Sequence, residues 1–258
     1  MRDFLKIALY AAQKAGKVHK KYYNTKLDIK TKKTSFDLVT VADIEAEKVI
    51  VDIIKKKYKE HNILAEEQHY EKTGSEYMWV IDPLDGTNNF ANGLPIFCVS
   101  IALAKNGVPI VGVVYDALRD EMFYAEQGKG TFLNRKRVTV SNVSSLDKSL
   151  LITGFYYDRG DKMVETLGHI RQFLERKIVG LRRLGAAALD LSYVACGRAT
   201  GFWEFKLSPW DFAAGLLLIE EAGGKVTGRK GEKLTLKEDF IVSSNGIIHE
   251  DMLKIINS

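Results

Sequence analysis

Trp79-Val80-Ile81-Asp82-Pro83-Leu84-Asp85-Gly86-Thr87-Asn88-Asn89-Phe90 is the stretch on which the reading of the whole chain turns. Its opening, residues 78–81, is an apolar run with the length and composition of a buried strand. Pro83 has a fixed φ and no backbone donor, so the strand is predicted to end at Asp82. Gly86 then allows tight backbone geometry and close approach of a ligand to main-chain N–H groups. Asp82 and Asp85 therefore stand together at a buried strand end, an unfavourable place for two carboxylates unless positive charge lies between them. A divalent cation with oxygen ligands meets that need, and the carbonyl of Leu84 offers a neutral extra ligand. Asp-Pro and Asp-Gly are also ordinary turn dipeptides, so this stretch alone supports a plain turn equally well.

Neighbouring segments add further acids. Asn62-Ile63-Leu64-Ala65 reads as a short strand ending in Glu66-Glu67. Successive strands ending in Glu-Glu and Asp-x-x-Asp fit parallel strands that deliver ligands to one sheet edge. The polar link 68–77, containing Gly74, is expected to be a mobile surface loop. Near the start, Phe4, Ala8, Ala11, Ala15, Val18 and Tyr22 recur at helical spacing and predict an amphipathic helix. Asp37-Leu38-Val39-Thr40 leads into a second helix with Thr40 as N-cap and Asp43 near its positive end. Capping alone accounts for both residues. Ser208-Pro209-Trp210-Asp211 is likewise a nearly complete helix start, so Asp211 has a structural reading beside a functional one.

Strands are predicted over 97–103, 110–115, 121–125 and 130–133, with turns at Asn106-Gly107 and Gly128-Lys129-Gly130 suggesting an antiparallel, hairpin-rich sheet. A strand over 150–153 and a helix over 163–174 follow. Extended and helical segments then alternate over 178–184, 186–196, 201–205, 212–222, 240–243 and 247–256. The expected class is α/β (α+β) in layers, one domain over 1–258 with sub-halves near 1–145 and 146–258. No apolar run reaches the roughly 20 residues of a membrane span. The start lacks a secretory apolar segment, and Cys98 and Cys196 sit in apolar surroundings without CxxC spacing, so a reducing cytoplasm is expected. The net charge of +5, with lysine clusters at 30–33 and 55–59, fits either a nucleic-acid footprint or a solvated face. No aromatic stacking motif accompanies the lysines, so nucleic acid is not the expected partner.

Asp82-Pro83-Leu84-Asp85-Gly86-Thr87 with Asn89-Phe90, and Trp210-Asp211-Phe212-Ala213-Ala214-Gly215, resemble the two signatures of the inositol monophosphatase family. Asp37 to Thr40 with Asp43, Glu66-Glu67, and Gly185-Ala186-Ala187 with Asp190 match further family positions in order, so the resemblance spans essentially the whole chain. It implies a layered αβαβα sandwich of the inositol monophosphatase/fructose-1,6-bisphosphatase type, a homodimer, and hydrolysis of phosphate monoesters with two to three Mg²⁺ per site. By the same resemblance, Glu66, Asp82 and the Leu84 carbonyl hold one ion, and Asp82, Asp85 and Asp211 a second. A third leans on Glu66 through water. Asp43, Glu66 and Thr87 form the catalytic set, with Asp43 and Thr87 on the attacking water. Asp85, Gly86, Thr87, Gly185, Ala186, Ala187, Glu204 and Asp211 line the substrate, the N–H groups of Gly86 and Thr87 taking phosphate oxygens. None of the five histidines lies in a motif, so no covalent phosphoenzyme is expected.

Glu204 matches the family position that contacts inositol ring hydroxyls, and Asn88-Asn89-Phe90 departs from the Lys-Glu-Phe of the nucleotidase branch. Inositol monophosphates are thus the expected substrates, with fructose 1,6-bisphosphate as alternative or second substrate and a 3′(2′),5′-bisphosphate nucleotide less favoured. Arg182 and Arg183 would serve a second phosphate, or else form a surface pair or dimer contact. Lys32 falls where some relatives place a lysine near the third ion. A regulatory role binding RNA or protein is the competing reading, but it gives no reason to keep five ligand carboxylates clustered against repulsion.

Overall fold

The helical spacing of the opening segment does form α1 (Phe4–Tyr22), whose buried Ala8, Ala11, Ala12 and Ala15 let it lie close on its neighbours. This computed structural model describes residues 3–26, 29–31, 38–155, 160–237 and 239–258, so Lys32 and Asp37 fall outside it. A ribbon of β1 (Ile29–Thr31) and β2 (Leu38–Thr40) leads into α2 (Val41–Lys57). Then come β3 (Asn62–Ala65), β4 (Tyr77–Asp85) and the short α3 (Thr87–Ala91). The hairpin run continues as β5 (Cys98–Lys105), β6 (Val108–Asp116), β7 (Glu121–Glu126), β8 (Thr131–Leu133) and β9 (Lys136–Val138). Strands β3 to β9 lie in chain order in one seven-stranded sheet, in which only the β3–β4 pair is parallel.

Strand periodicity decides what each face touches. Trp79, Ile81, Val99, Ile101 and Val113 join the cluster formed with α1 and α2, whereas Val80, Cys98, Ala102, Val114 and Phe123 face the opposite way. The second part supplies β10 (Leu150–Thr153), α4 (Asp161–Glu175), β11 (Gly180–Arg182) and α5 (Ala187–Ala195). It ends with β12 (Gly201–Leu207), α6 (Pro209–Glu221), β13 (Lys225–Thr227), β14 (Asp239–Ser244) and α7 (His249–Ile256). Its sheet has the order β11-β10-β12-β14-β13. On β12, Phe202 and Leu207 share a core with α5 and α6, while Trp203 and Phe205 face α4 and α7. Helices α5 and α6 touch both sheets, which gives the expected αβαβα sandwich. Among the described residues, no helix is long and apolar enough to cross a membrane.

One sequence expectation needs correction. Strand β4 does not stop at Asp82 but runs on to Asp85. Asp82 pairs with Ser100 and Asp85 with Cys98, so three steps on β4 match two on β5. This bulge carries Pro83 past the ladder where no N–H is demanded. The 68–77 link is largely exposed, as expected of a surface link; within it Thr73 N donates to Asn62 Oδ1 at 2.8 Å, and Asn62 Nδ2 donates to Ser75 O at 2.7 Å.

Candidate active site

Parallel pairing sets Ala65 opposite Ile81, so Glu66, just past the end of β3, comes beside Asp82, which is still within β4 and paired with Ser100. Asp82 shares the face of Val80, towards α5 and α6; it is buried, and its Oδ1 accepts from Leu84 N at 3.0 Å. Asp85 does something no local pattern reveals. Its carboxylate accepts from Ala187 N at 3.1 Å, Ala188 N at 2.8 Å and the Cys98 thiol at 3.5 Å. Helix α5 has no side-chain cap of its own, so Asp85 satisfies its first amides from 102 residues away.

Gly86 makes the sharp exit from β4 with φ +90°, and a Cβ there would lie 2.8 Å from Ile96 O and 3.2 Å from Ala186 Cβ. Gly86→Ala is expected to lower the unfolding free energy by about 2 kcal/mol or more, through left-handed strain plus the backbone contact. A lower urea midpoint with unchanged slope would register it. The motif's last two residues are fasteners. Asn89 Nδ2 donates to Ile96 O and Leu184 O, each at 2.8 Å, and Phe90 meets Phe97 edge-on with centroids 4.8 Å apart. Beneath them the buried His19, its pKa pushed down to about 4 by burial, is neutral, and its Nε2–H donates to Pro83 O at 2.8 Å.

Asp43 serves both readings, one oxygen to each. Its Oδ2 accepts from Thr40 N at 2.8 Å and Thr40 Oγ1 at 2.6 Å, completing the capping box of α2. Its Oδ1 faces Thr87 Oγ1 at 2.8 Å, and that hydroxyl also lies 2.9 Å from Leu84 O. One turn along α2, the buried Glu47 accepts from Glu67 N at 2.8 Å and Tyr70 Oη at 3.1 Å. Sequence reasoning missed Glu47. The signal was present: 43, 47, 50 and 54 form one buried stripe, so an acid stands at 47 where an apolar residue belongs.

Asp211 opens α6, and its Oδ2 accepts from Ser208 N at 2.7 Å. Burial raises the pKa values of Asp43, of Asp85 (to about 6) and, strongly, of Asp211. The nearby charges that add to this are negative, with Glu66 acting on all three and Asp85 and Glu204 also on Asp211. Among the described residues, no three His, Cys, Asp or Glu side chains are already gathered into a metal cage. Asp82, Asp85 and Asp211 instead turn oxygens to main-chain amides. Hard oxygen donors under mutual repulsion are nonetheless the donor set that suits a Mg²⁺-like ion.

The profile of the Inositol monophosphatase family matches residues 1–258. The chain belongs to the inositol monophosphatase family. It is 44% identical over 255 residues to the Nus factor SuhB of Escherichia coli strain K12, covering 98% of this chain and 95% of that one. It is 41% identical over 233 residues to the fructose-1,6-bisphosphatase/inositol-1-monophosphatase of Thermotoga maritima, covering 90% and 88%. The structure of the inositol monophosphatase from Anabaena superimposes with a TM-score of 0.89 at 44% identity, over 98% of this chain and 95% of that one. As a member of the inositol monophosphatase family the chain is a phosphatase, and the family generally depends on Mg²⁺.

The remaining family positions lie within electrostatic or hydrogen-bonding reach of these acids, Asp85 acting on both Glu204 and Asp190. Glu204, on β12, is partly buried; its carboxylate lies against Gly154, where any Cβ would collide with it. Burial pushes its pKa up to about 8, and the Arg183 guanidinium pulls the other way. Asp190, on α5, is buried with both oxygens unpartnered among the described residues, so its pKa lies well above the ordinary value. Arg182 and Arg183 are both exposed but diverge. Arg183 acts on Glu204 and Asp190, while Arg182 folds back to donate to Leu181 O at 2.9 Å. In the Gly185-Ala186-Ala187 turn, the Ala187 amide is taken by Asp85, so it is not a free donor to substrate.

Proposed function

We propose that this phosphatase hydrolyses inositol monophosphates at the carboxyl edge of β3 and β4, with Mg²⁺ as its ion. The observation that carries the reading is the buried, mutually repelling set of Asp43, Asp85 and Asp211 around Glu66, beside Asp82. Glu66, Asp82, the Leu84 carbonyl, Asp85 and Asp211 would hold two to three Mg²⁺. When bound, the ions supply positive charge and Lewis acidity towards a phosphate dianion, which otherwise repels a nucleophile.

The chain's own groups do the rest. Both near neighbours of the Thr87 hydroxyl, Asp43 Oδ1 and Leu84 O, are acceptors, so its single proton is engaged. Its oxygen lone pairs are then left to accept from the attacking water and aim it, with Asp43 as the sink for proton density. The N–H groups of Gly86 and Thr87 face phosphate at the start of α3. Glu204 takes hydroxyls of the ring. Arg183, which acts on Glu204, suits a second anionic group, and this favours fructose 1,6-bisphosphate as the alternative substrate. A cytoplasmic homodimer completes the proposal, as the resemblance implies.

The test is phosphate release from inositol 1-phosphate, fructose 1,6-bisphosphate and 3′-phosphoadenosine 5′-phosphate, with Mg²⁺ and with EDTA. Mg²⁺-dependent turnover led by the inositol ester is expected. A dominant fructose ester would keep the site and change the substrate. Turnover of none of the three, joined to salt-sensitive retention of RNA, would replace this reading with a nucleic-acid-binding role.

A further inference from the structure

The acids of the proposed site come from two separate supports, and one side chain joins them. Glu47 lies on α2 a single turn beyond Asp43, with no solvent exposure. Both of its oxygens are used by the segment that follows β3: Oε2 accepts from Glu67 N at 2.8 Å, and Oε1 from Tyr70 Oη at 3.1 Å. The Gln68 amide adds a further bond to the same carboxylate. Glu66 immediately precedes these donors and is close enough for its charge to oppose that of Glu47.

We propose that Glu47 is a positioning residue: it clamps the 66–70 segment to α2 and so sets Glu66 relative to the Asp43–Thr87 pair. Asp43 and Glu47 are separated by one helical turn of about 5.4 Å, a spacing the backbone holds stiffly. Asp43 reaches forward to Thr87, and Glu47 reaches sideways to Glu67 and Tyr70. The helix face is thus a rigid bracket between the group that aims water and the group proposed to hold a metal ion. Packing of α2 gives no reason for an acid at 47. Its neighbours on the stripe, Ala46, Ile50 and Ile54, are apolar and fully buried, and Ala or Leu would suit that surface. Along the clamped segment Gln68 and His69 are exposed, and Tyr70 is half-buried beneath the Lys55 ammonium, 4.7 Å from its ring.

The inference rests on the metal-dependent reading above, and the experiment separates the two. Glu47→Ala, Glu47→Gln and Tyr70→Phe are compared with the unmodified protein in two measurements. The first is amide hydrogen exchange at residues 67 and 68 in metal-free protein. The second is the Mg²⁺ concentration giving half-maximal phosphate release, read separately from turnover at saturating Mg²⁺. In Glu47→Ala, exchange at 67 and 68 is expected to speed up, and the Mg²⁺ requirement to rise about 10- to 100-fold with saturated turnover changed far less. Tyr70→Phe should shift both in the same direction by less. If Glu47→Ala does not fold, Glu47→Gln, which keeps the volume but only one acceptor oxygen, decides by the same readouts. Unchanged exchange in a folded variant overturns the proposal, and so does faster exchange with an unchanged Mg²⁺ requirement. Absence of Mg²⁺-dependent turnover in the unmodified protein would count against the phosphatase site itself, and the exchange comparison would still decide whether Glu47 holds the segment.

Discussion

Asp211→Asn is expected to reduce Mg²⁺-dependent phosphate release by about a thousandfold or more while leaving the metal-free protein as stable as before, or more so. The loss follows from removing one ligand charge from a site whose catalytic power is charge placed against phosphate. About 4 kcal/mol of lost transition-state stabilisation is a thousandfold in rate. The stability half of the prediction follows from the same crowding. Burial and the charges of Glu66, Asp85 and Glu204 all disfavour the ionised Asp211. Its cap bond, accepting from Ser208 N at 2.7 Å, is one that an Asn carbonyl can meet. Asp85→Asn makes the contrast. It should lose turnover comparably, but its two oxygens serve Ala187 N, Ala188 N and the Cys98 thiol, and an amide can offer only one acceptor. That substitution leaves a buried donor unmet, a penalty of about 1–3 kcal/mol set against the relief of repulsion. Turnover at saturating Mg²⁺ and melting in EDTA check both variants. A lower melting temperature for Asp211→Asn would mean that its ionised carboxylate is a structural asset, contrary to the electrostatic account.

That contrast also marks where sequence reading reached its limit. Glu66 and Asp82 were legible because β3 and the first half of β4 are apolar and pair in parallel, which brings the acids that follow the two apolar runs to one place even though β4 itself runs on to Asp85. Asp43 and Asp211 were legible as helix-start acids, and both caps are real. What local pattern could not show is that Asp43 spends one oxygen on the cap and the other on Thr87, 44 residues on. The link from Asp85 to α5 was hidden for the same reason: it joins the end of a strand to a helix across 102 residues. The bulge over Pro83 escaped prediction because proline forbids a ladder N–H but not extension, and a register shift removes the conflict. Arg182 and Arg183 looked like one unit and are not, since β11 ends at Arg182, whose guanidinium folds back on Leu181 O while Arg183, just past the strand, acts on Glu204 and Asp190.

In metal-free protein, stability is expected to fall as pH rises from about 6.5 to about 8.5, and saturating Mg²⁺ to remove much of that fall. Glu204 sits at about 8 and Asp85 at about 6, with Asp211 and Asp190 also raised, against about 4 for these acids in the unfolded chain. Where the folded value lies above the unfolded one, the native state holds more protons between the two, so raising the pH through that window costs stability. Buried histidines work the other way. His19 and His249 stand at about 4, and His169 is also lowered, so the unfolded chain takes up protons that the folded one refuses below about 6.5. Between about pH 4 and 6.5 the two sets oppose each other and the profile should be shallow. Above that the histidines are neutral in both states, and the raised carboxyls, joined towards pH 8.5 by the Cys98 and Cys196 thiols that burial also raises, give the decline its sign. Each unit of separation is worth at most about 1.4 kcal/mol, and solvent access to the partly buried Glu204 reduces its share. Cations held by Asp85 and Asp211 would favour their ionised forms and flatten the curve, leaving the residue due to Glu204 and Asp190. Melting temperatures in EDTA and in Mg²⁺ between pH 6 and 9 measure both slopes. Equal slopes would mean that the acids responsible are not the ones that hold the ion.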